Sequence, residues 1–147
     1  MTTLTNPYSE IHALLDAQLN TVSGLPTLAI EDLRVQNDPN AAWARSVLIS
    51  ARTMAETIGI NSAARYQGIY QIDIYYPSGQ GWNVGGKMMM ADSVIQAFNT
   101  GTQLNSSDVF LNISSSYLNP AISDLNSKYY RISISAEWFA IIAAVQN

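Results

Sequence analysis

The chain contains no cysteine, which excludes disulfide frameworks, thiolate nucleophiles and Cys-ligated zinc together. It has one histidine, His12, too few for a His-based metal cluster or an ordinary Ser-His-Asp site within one chain. Charge is scarce as well. Only 12% of residues are charged, about half the usual ~25%, while the hydrophobic share of 48% is ordinary. No apolar run approaches the ~18–20 residues that span a bilayer. The longest candidate is Trp138 to Val145, and no membrane contact is expected. Met1 to Asn6 has no basic residue, and Ile11 to Leu19 is short and polar for a secretory core, so a soluble intracellular chain is expected.

Where charge is missing, Ser, Asn, Thr and Gln stand instead, in runs such as Ser114-Ser115-Ser116 and Asn105-Ser106-Ser107. Interfaces tend to lose charge, so this composition suits a protein packed against copies of itself; a low-charge monomer is the alternative. The net charge is −4, and the seven basic residues are scattered from Arg34 to Arg131. A nucleic-acid grip needs clustered Lys and Arg, and is not expected. At 147 residues the chain suits one domain, 1–147, with a core large enough to need no staple.

The periodicities predict an α+β fold. A first helix is expected from the N-cap Asn6, Pro7 at the first helical position, and Ile11, Leu14, Leu15, Leu19 and Val22 at helical spacing. Gly24 and Pro26 stop it, and Thr27 to Ile30 is a short strand. The stretch from Glu31 to Asn40 is polar, with a turn signal at Asp38-Pro39. Trp43 to Ile49 alternates as a strand, with Ala44, Ser46 and Leu48 on one face. Residues 51–62 read as a long hairpin loop or arm. Ala64 to Tyr76 is the clearest strand: Tyr66, Tyr70, Ile72, Ile74 and Tyr76 share a face, opposite Arg65, Gln67, Gln71 and Asp73. Gly68 inside it predicts a bulge or a close backbone approach.

A second helix follows, with Val84, Met88, Ala91, Ile95 and Phe98 as its stripe and Gly101 at its close. Val109, Leu111 and Ile113 alternate as a strand, residues 114–127 read as a loop, and Tyr130 to Trp138 form a long last strand. The expected fold is a mainly antiparallel β-sheet with two helices packed on it, in the order α-β-β-β-α-β-β.

Few residues invite a chemical reading. Gly81-Trp82-Asn83-Val84-Gly85-Gly86-Lys87 imitates a phosphate-binding loop between a strand and a helix. Met88 stands where the Mg²⁺-binding Ser or Thr belongs, so a strand-to-helix turn is the simpler reading. Asp73 and Glu137 could form a carboxylate pair, but both lie on polar strand faces, where solvated charge is the default. His12 falls beside the apolar stripe and reads as a surface residue. The sequons at Asn105 and Asn112 mean nothing without a secretory signal. No catalytic, cofactor-binding or metal-binding residue is therefore assigned, and no enzyme is expected. Tyr75, Tyr129 and Phe139 oppose their strands' main apolar sets, so they meet either a second packed layer or a partner subunit.

One stretch carries a resemblance. Arg65-Tyr66-Gln67-Gly68-Ile69-Tyr70-Gln71-Ile72-Asp73-Ile74-Tyr75-Tyr76-Pro77-Ser78-Gly79, with the amphipathic helix after it, resembles the R-Y-x-G-x-Y-Q-I-D-V-x-Y-P pattern of small proteins from tailed phages. The helix Glu10 to Leu19 with its Gly-Leu-Pro turn is similar too, as is Phe98 to Leu104, so that the likeness covers roughly residues 8–112. The family is the tail-terminator proteins of long-tailed phages, a group that includes the minor tail protein U of lambda-type phages. The resemblance implies an α+β subunit of a homohexameric ring, at the head-proximal end of the virion tail, assembled in the host cytoplasm. Its implied partners are copies of itself, the major tail tube protein and the head–tail connector or neck proteins. Six copies at −4 each carry −24, and such a bore would let genomic DNA pass without specific binding. Contacts are expected from 51–62 and 114–127, because long loops commonly carry them. A head-completion or stopper protein of the neck is the nearer alternative; a degenerate nucleotide-binding enzyme is the more distant one.

Overall fold

A computed structural model describes residues 7–29, 42–51, 54–55, 64–77, 84–106, 109–119, 122–123 and 129–142. The expected Asn6 cap, the polar stretch 31–40 and the Gly81–Asn83 part of the glycine loop lie outside them.

Helix α1 (Pro7–Leu19) begins on the proline, whose missing N–H costs nothing in a first turn, and buries Ile11, Leu15 and Leu19 completely. Its exit runs through Gly24 at φ 79°, a left-handed conformation that disfavours a side chain. Four long strands follow in the chain: β2 (Trp43–Ser50), β4 (Ala64–Pro77), β6 (Val109–Leu118) and β8 (Tyr129–Ile142). Four short ones accompany them: β1 (Thr27–Ala29), β3 (Met54–Ala55), β5 (Gln103–Asn105) and β7 (Ile122–Ser123). Helix α2 (Val84–Ala97) lies between β4 and β5. The sheet order is β1-β2-β4-β8-β6-β5, with β3 paired to β4 and β7 to β8. Only β1 pairs in parallel, so the fold is the expected α+β, mainly antiparallel sheet.

Both helices cover one face. Tyr70, Ile72 and Ile74 of β4, Ile132 and Ile134 of β8, and Leu111 of β6 are sealed beneath α1 and α2. The buried residues here are Ala91 and Val94 of α2 and Phe98 just past its end, whereas Met88 and Ile95 of the expected stripe are half-buried. Gln18 of α1 donates to the Ala97 carbonyl at 2.7 Å, which ties the two helices at one end.

Two expectations need correction. Residues 51–62 are not loop throughout: Met54 and Ala55 form β3 and pair with Arg65 and Ala64. Nor is 114–127, because β6 runs on to Leu118 and β7 takes Ile122–Ser123. The cause is a β-bulge between Ile113 and Ser115, which shifts the register against β8. A bulge inserts one residue and reverses which residues face the core. Ser116 and Leu118, not Ser115 and Tyr117, thus lie opposite the buried Ala136 and Ile134. An alternation read in strict steps of two ends at such a point.

Gly68 meets its expectation of a close approach. A Cβ built there would lie 2.1 Å from the Ile49 carbonyl oxygen, a backbone atom that cannot swing aside. Gly68→Ala is expected to lower stability by about 3 kcal/mol, the upper end of ordinary overpacking. Urea unfolding of the two proteins checks this; an unchanged midpoint would contradict the contact.

Candidate functional site

The expected chemical groups are dispersed by the fold. Lys87 sits in the first turn of α2, with its Nζ 4.3 Å above the Tyr130 ring and 5.8 Å from that of Tyr76. An ammonium held over aromatic faces serves the packing of helix on sheet. Asp73 and Glu137 share the face away from the helices, but Asp73 lies opposite Ser133 and Glu137 opposite Ile69. Four strand positions, about 13 Å, separate the carboxylates, so they form no acid–base pair. Glu137 is exposed and accepts a hydrogen bond from Ser115 at 2.7 Å. Among the described residues no three His, Asp or Glu side chains gather to hold a metal.

Asp73 departs from the solvated reading. It is fully buried, with Arg45 Nη2 2.9 Å and Gln71 Nε2 3.0 Å from its two oxygens. Arg45 and Asp73 stand opposite each other on the same face of neighbouring strands. Burial by itself pushes the carboxyl up. The hydrogen bonds from Gln71, Arg45 and Ser133, with the guanidinium charge, more than offset that and hold it below the ordinary carboxylate value.

His12 is not a plain surface residue either. Its Nε2 lies 3.4 Å from Asp16 and 3.5 Å from the Ser46 hydroxyl. Ser46 donates to Asp16 at 3.0 Å, and the Tyr70 hydroxyl also donates to that carboxylate. Serine, histidine and aspartate therefore meet, yet they are not wired for catalysis. A catalytic triad uses both ring nitrogens, one toward the nucleophile and one toward the acid. Here one nitrogen faces both, and the serine proton goes to the aspartate. The cluster fastens α1 to β2 and β4; burial and the Asp16 carboxylate push the Tyr70 hydroxyl well up.

What remains is the open face of the sheet, open only in that it lies away from the helices: Asp73, Ser133 and Ser135 are buried in it, and Trp43, Tyr75, Arg65 and Phe139 are half-buried. Trp43 and Tyr75 stack there at 4.1 Å with ring planes 9° apart, flanked by the Arg45 guanidinium 5.8 Å from Tyr75. Toward the other end of β4, the Arg65 guanidinium lies 4.3 Å over Phe139. A groove of about 300 Å³ crosses the strands beside that pair, lined by Arg65, Gln67, Gly68, Glu137, Trp138 and Phe139 among others. Tyr75 and Phe139 thus occupy the face away from the core, as their phase implied, whereas the side chain of Tyr129 is outside the described residues. The arrangement offers aromatic and guanidinium surface for contact and no reactive group.

Because the Asp73 carboxyl is held low, its ionised form stabilises the fold above pH 3.8, the unfolded value, and that contribution fades as pH falls through the folded value. Asp73→Asn should cost about 1.5–3 kcal/mol at pH 7, the range for hydrogen bonds to a charged group. The gap from the parent protein should narrow at pH 3 in urea titrations. An equal gap at both pH values would contradict the ion pair.

A profile of the phage tail terminator protein family matches residues 10–138, well over half of the chain. No curated protein matches. Among 18 matching chains of solved structures, one that bears no functional name superimposes with a TM-score of 0.62. It is 13% identical and is covered over 97% of its length by 92% of this chain, a likeness of fold alone. An α+β subunit with helices on one face of its sheet and aromatic side chains on the other agrees with the profile match. The chain belongs to the phage tail terminator family and is a structural component of a bacteriophage tail.

Proposed function

We propose that six copies of the chain close into a ring on the head-proximal end of the tail tube, end its polymerisation and join the tail to the head connector. Membership of the tail terminator family carries this reading. The work is geometric, without catalysis or cofactor. One surface of the ring copies the acceptor surface of the tube protein, and the other withholds it from the next tube subunit. Head-to-tail contacts between copies close when the rotation per subunit divides the circle. The low charge of the chain supports burial against partners, and the negative total leaves genomic DNA free to pass. Within 51–62 and 114–127, Met54–Ala55, Ser114–Leu118 and Ile122–Ser123 belong to the sheet, so contacts made there are made by strands, and loop contacts fall to the residues around them.

Native mass spectrometry of the purified protein, alone and with its tube protein, tests the reading. The expected mass is six subunits, either free in solution or on tube ends. A strict monomer that ignores tubes would overturn it.

A further inference from the structure

The long strands β2, β4, β8 and β6 alternate in direction across the sheet. In an antiparallel ladder, every second residue turns its N–H and C=O toward one neighbour, and the rest turn toward the other. The Ala51 N–H donates to the Gln67 carbonyl at 2.8 Å, which places the odd-numbered residues of β2 in the bonded pairs with β4. Ser46, Leu48 and Ser50 therefore direct their backbone groups away from β4. On that side β1 pairs only with Trp43–Arg45, and 46–50 meet no further strand among the described residues. At the opposite edge, the Asn119 N–H donates to the Ser133 carbonyl at 2.8 Å, so beyond the bulge the odd residues of β6 bond β8. Ser116 and Leu118 turn outward, past β5, which pairs only with Phe110–Asn112.

Monomeric proteins shield such edges with charge, proline or a covering element. Neither window, Ser46-Val47-Leu48-Ile49-Ser50 or Ser115-Ser116-Tyr117-Leu118, contains a charged residue or a proline. Ile49, Tyr117 and Leu118 are three of the five large apolar side chains exposed among the described residues. The windows also stand level. Ser46 aligns through Ile72 and Ile134 with Leu118, and Leu48 through Tyr70 and Ala136 with Ser116.

We propose that the 46–50 edge of one copy pairs antiparallel with the 115–118 edge of the next, joining the sheets of neighbouring subunits; the inference rests on the ring reading above. Two features select a second copy of this chain. With four alternating strands the edges run in opposite directions, so head-to-tail apposition makes them antiparallel. The bonding pattern also closes on itself. Bonded pairs lie on the open face between β2 and β4, on the helix face between β4 and β8, and on the open face between β8 and β6. The next ladder must bond on the helix face, where Ser46, Leu48, Ser116 and Leu118 all lie. The contact joins two different surfaces, as a ring requires.

The absence of cysteine makes the test clean. Leu48→Cys or Ser50→Cys is combined with Ser116→Cys or Leu118→Cys in one chain, four double variants in all, with the single variants as controls. Ser50 and Leu118 are both exposed, so that pair leaves the core untouched. Assemblies formed alone or on tubes are oxidised, weighed by native mass spectrometry and run on non-reducing denaturing gels. At least one double variant should give a ladder of covalent species up to six copies, and every single variant should stay monomeric. Rings that form without cross-links in any double variant would overturn the edge contact and leave the ring standing. Dimers from a single variant would mean like-to-like pairing, and cross-links only to the tube protein would give the edge to the tube; either overturns the proposal. If no variant and no parent protein forms a ring, the ring reading falls and this contact with it.

Discussion

The pairing of β4 with β8 is the constraint on which the rest of the subunit depends. Fourteen residues of each strand run side by side from Ala64↔Ile142 to Pro77↔Tyr129 without a slip. Every other strand except β1 and β5 pairs with one of these two, and both helices lie against their common apolar face. Ile72, Ile74, Ile132 and Ile134 are completely buried there, each contributing about 1.5–3 kcal/mol on the scale of a buried aliphatic side chain. Because the period is two, a slip by one residue would carry these isoleucines to the open face and bring Asp73 and Ser133 into the core. The register is thus held from both sides, by isoleucine beneath and by the hydrogen bond between Ser133 and Asp73 above.

The irregularities of the sheet sit at one level of it. Gly68 lies opposite Ser50 and Trp138, and Trp138 lies opposite Ile113, where the β6 bulge begins. A pinched backbone on one side of β8 and an extra residue on the other re-aim the strands locally. The groove of the open face, lined in part by Gly68, Trp138 and Ser114, lies along this line. It is a product of strand geometry, not of an inserted loop.

Much of this was legible in the residues. Alternation marked β2, β4 and β8, helical spacing marked α1 and α2, and the stretch Arg65–Gly79 carried the family resemblance. Alternation failed where the backbone leaves its regular period. The bulge at Ser114 hid the second half of β6, since three consecutive serines show no apolar phase to follow across it. Long-range polar pairing was the other blind spot. Asp73 and Arg45 are 28 residues apart, and Ser46 and Asp16 are 30. Each looks solvated along its own strand or helix, and only the order of strands in the sheet brings them together. The open face offered no chemical signature to find, because contact surfaces are built from ordinary aromatic and small polar residues.

Low charge and strand edges that meet no further strand among the described residues are two sides of one problem. A free edge without charge or proline is an aggregation hazard in a monomer, since any passing strand can extend it. Heterologous contacts resolve that hazard only if they close; an open series of such contacts grows into a filament. If the two edges pair as proposed, each copy consumes one edge of its neighbour, and a closed ring leaves none exposed. In that reading closure satisfies the lateral edges, and the stop to tube growth lies in the ring surface that withholds the tube's acceptor face.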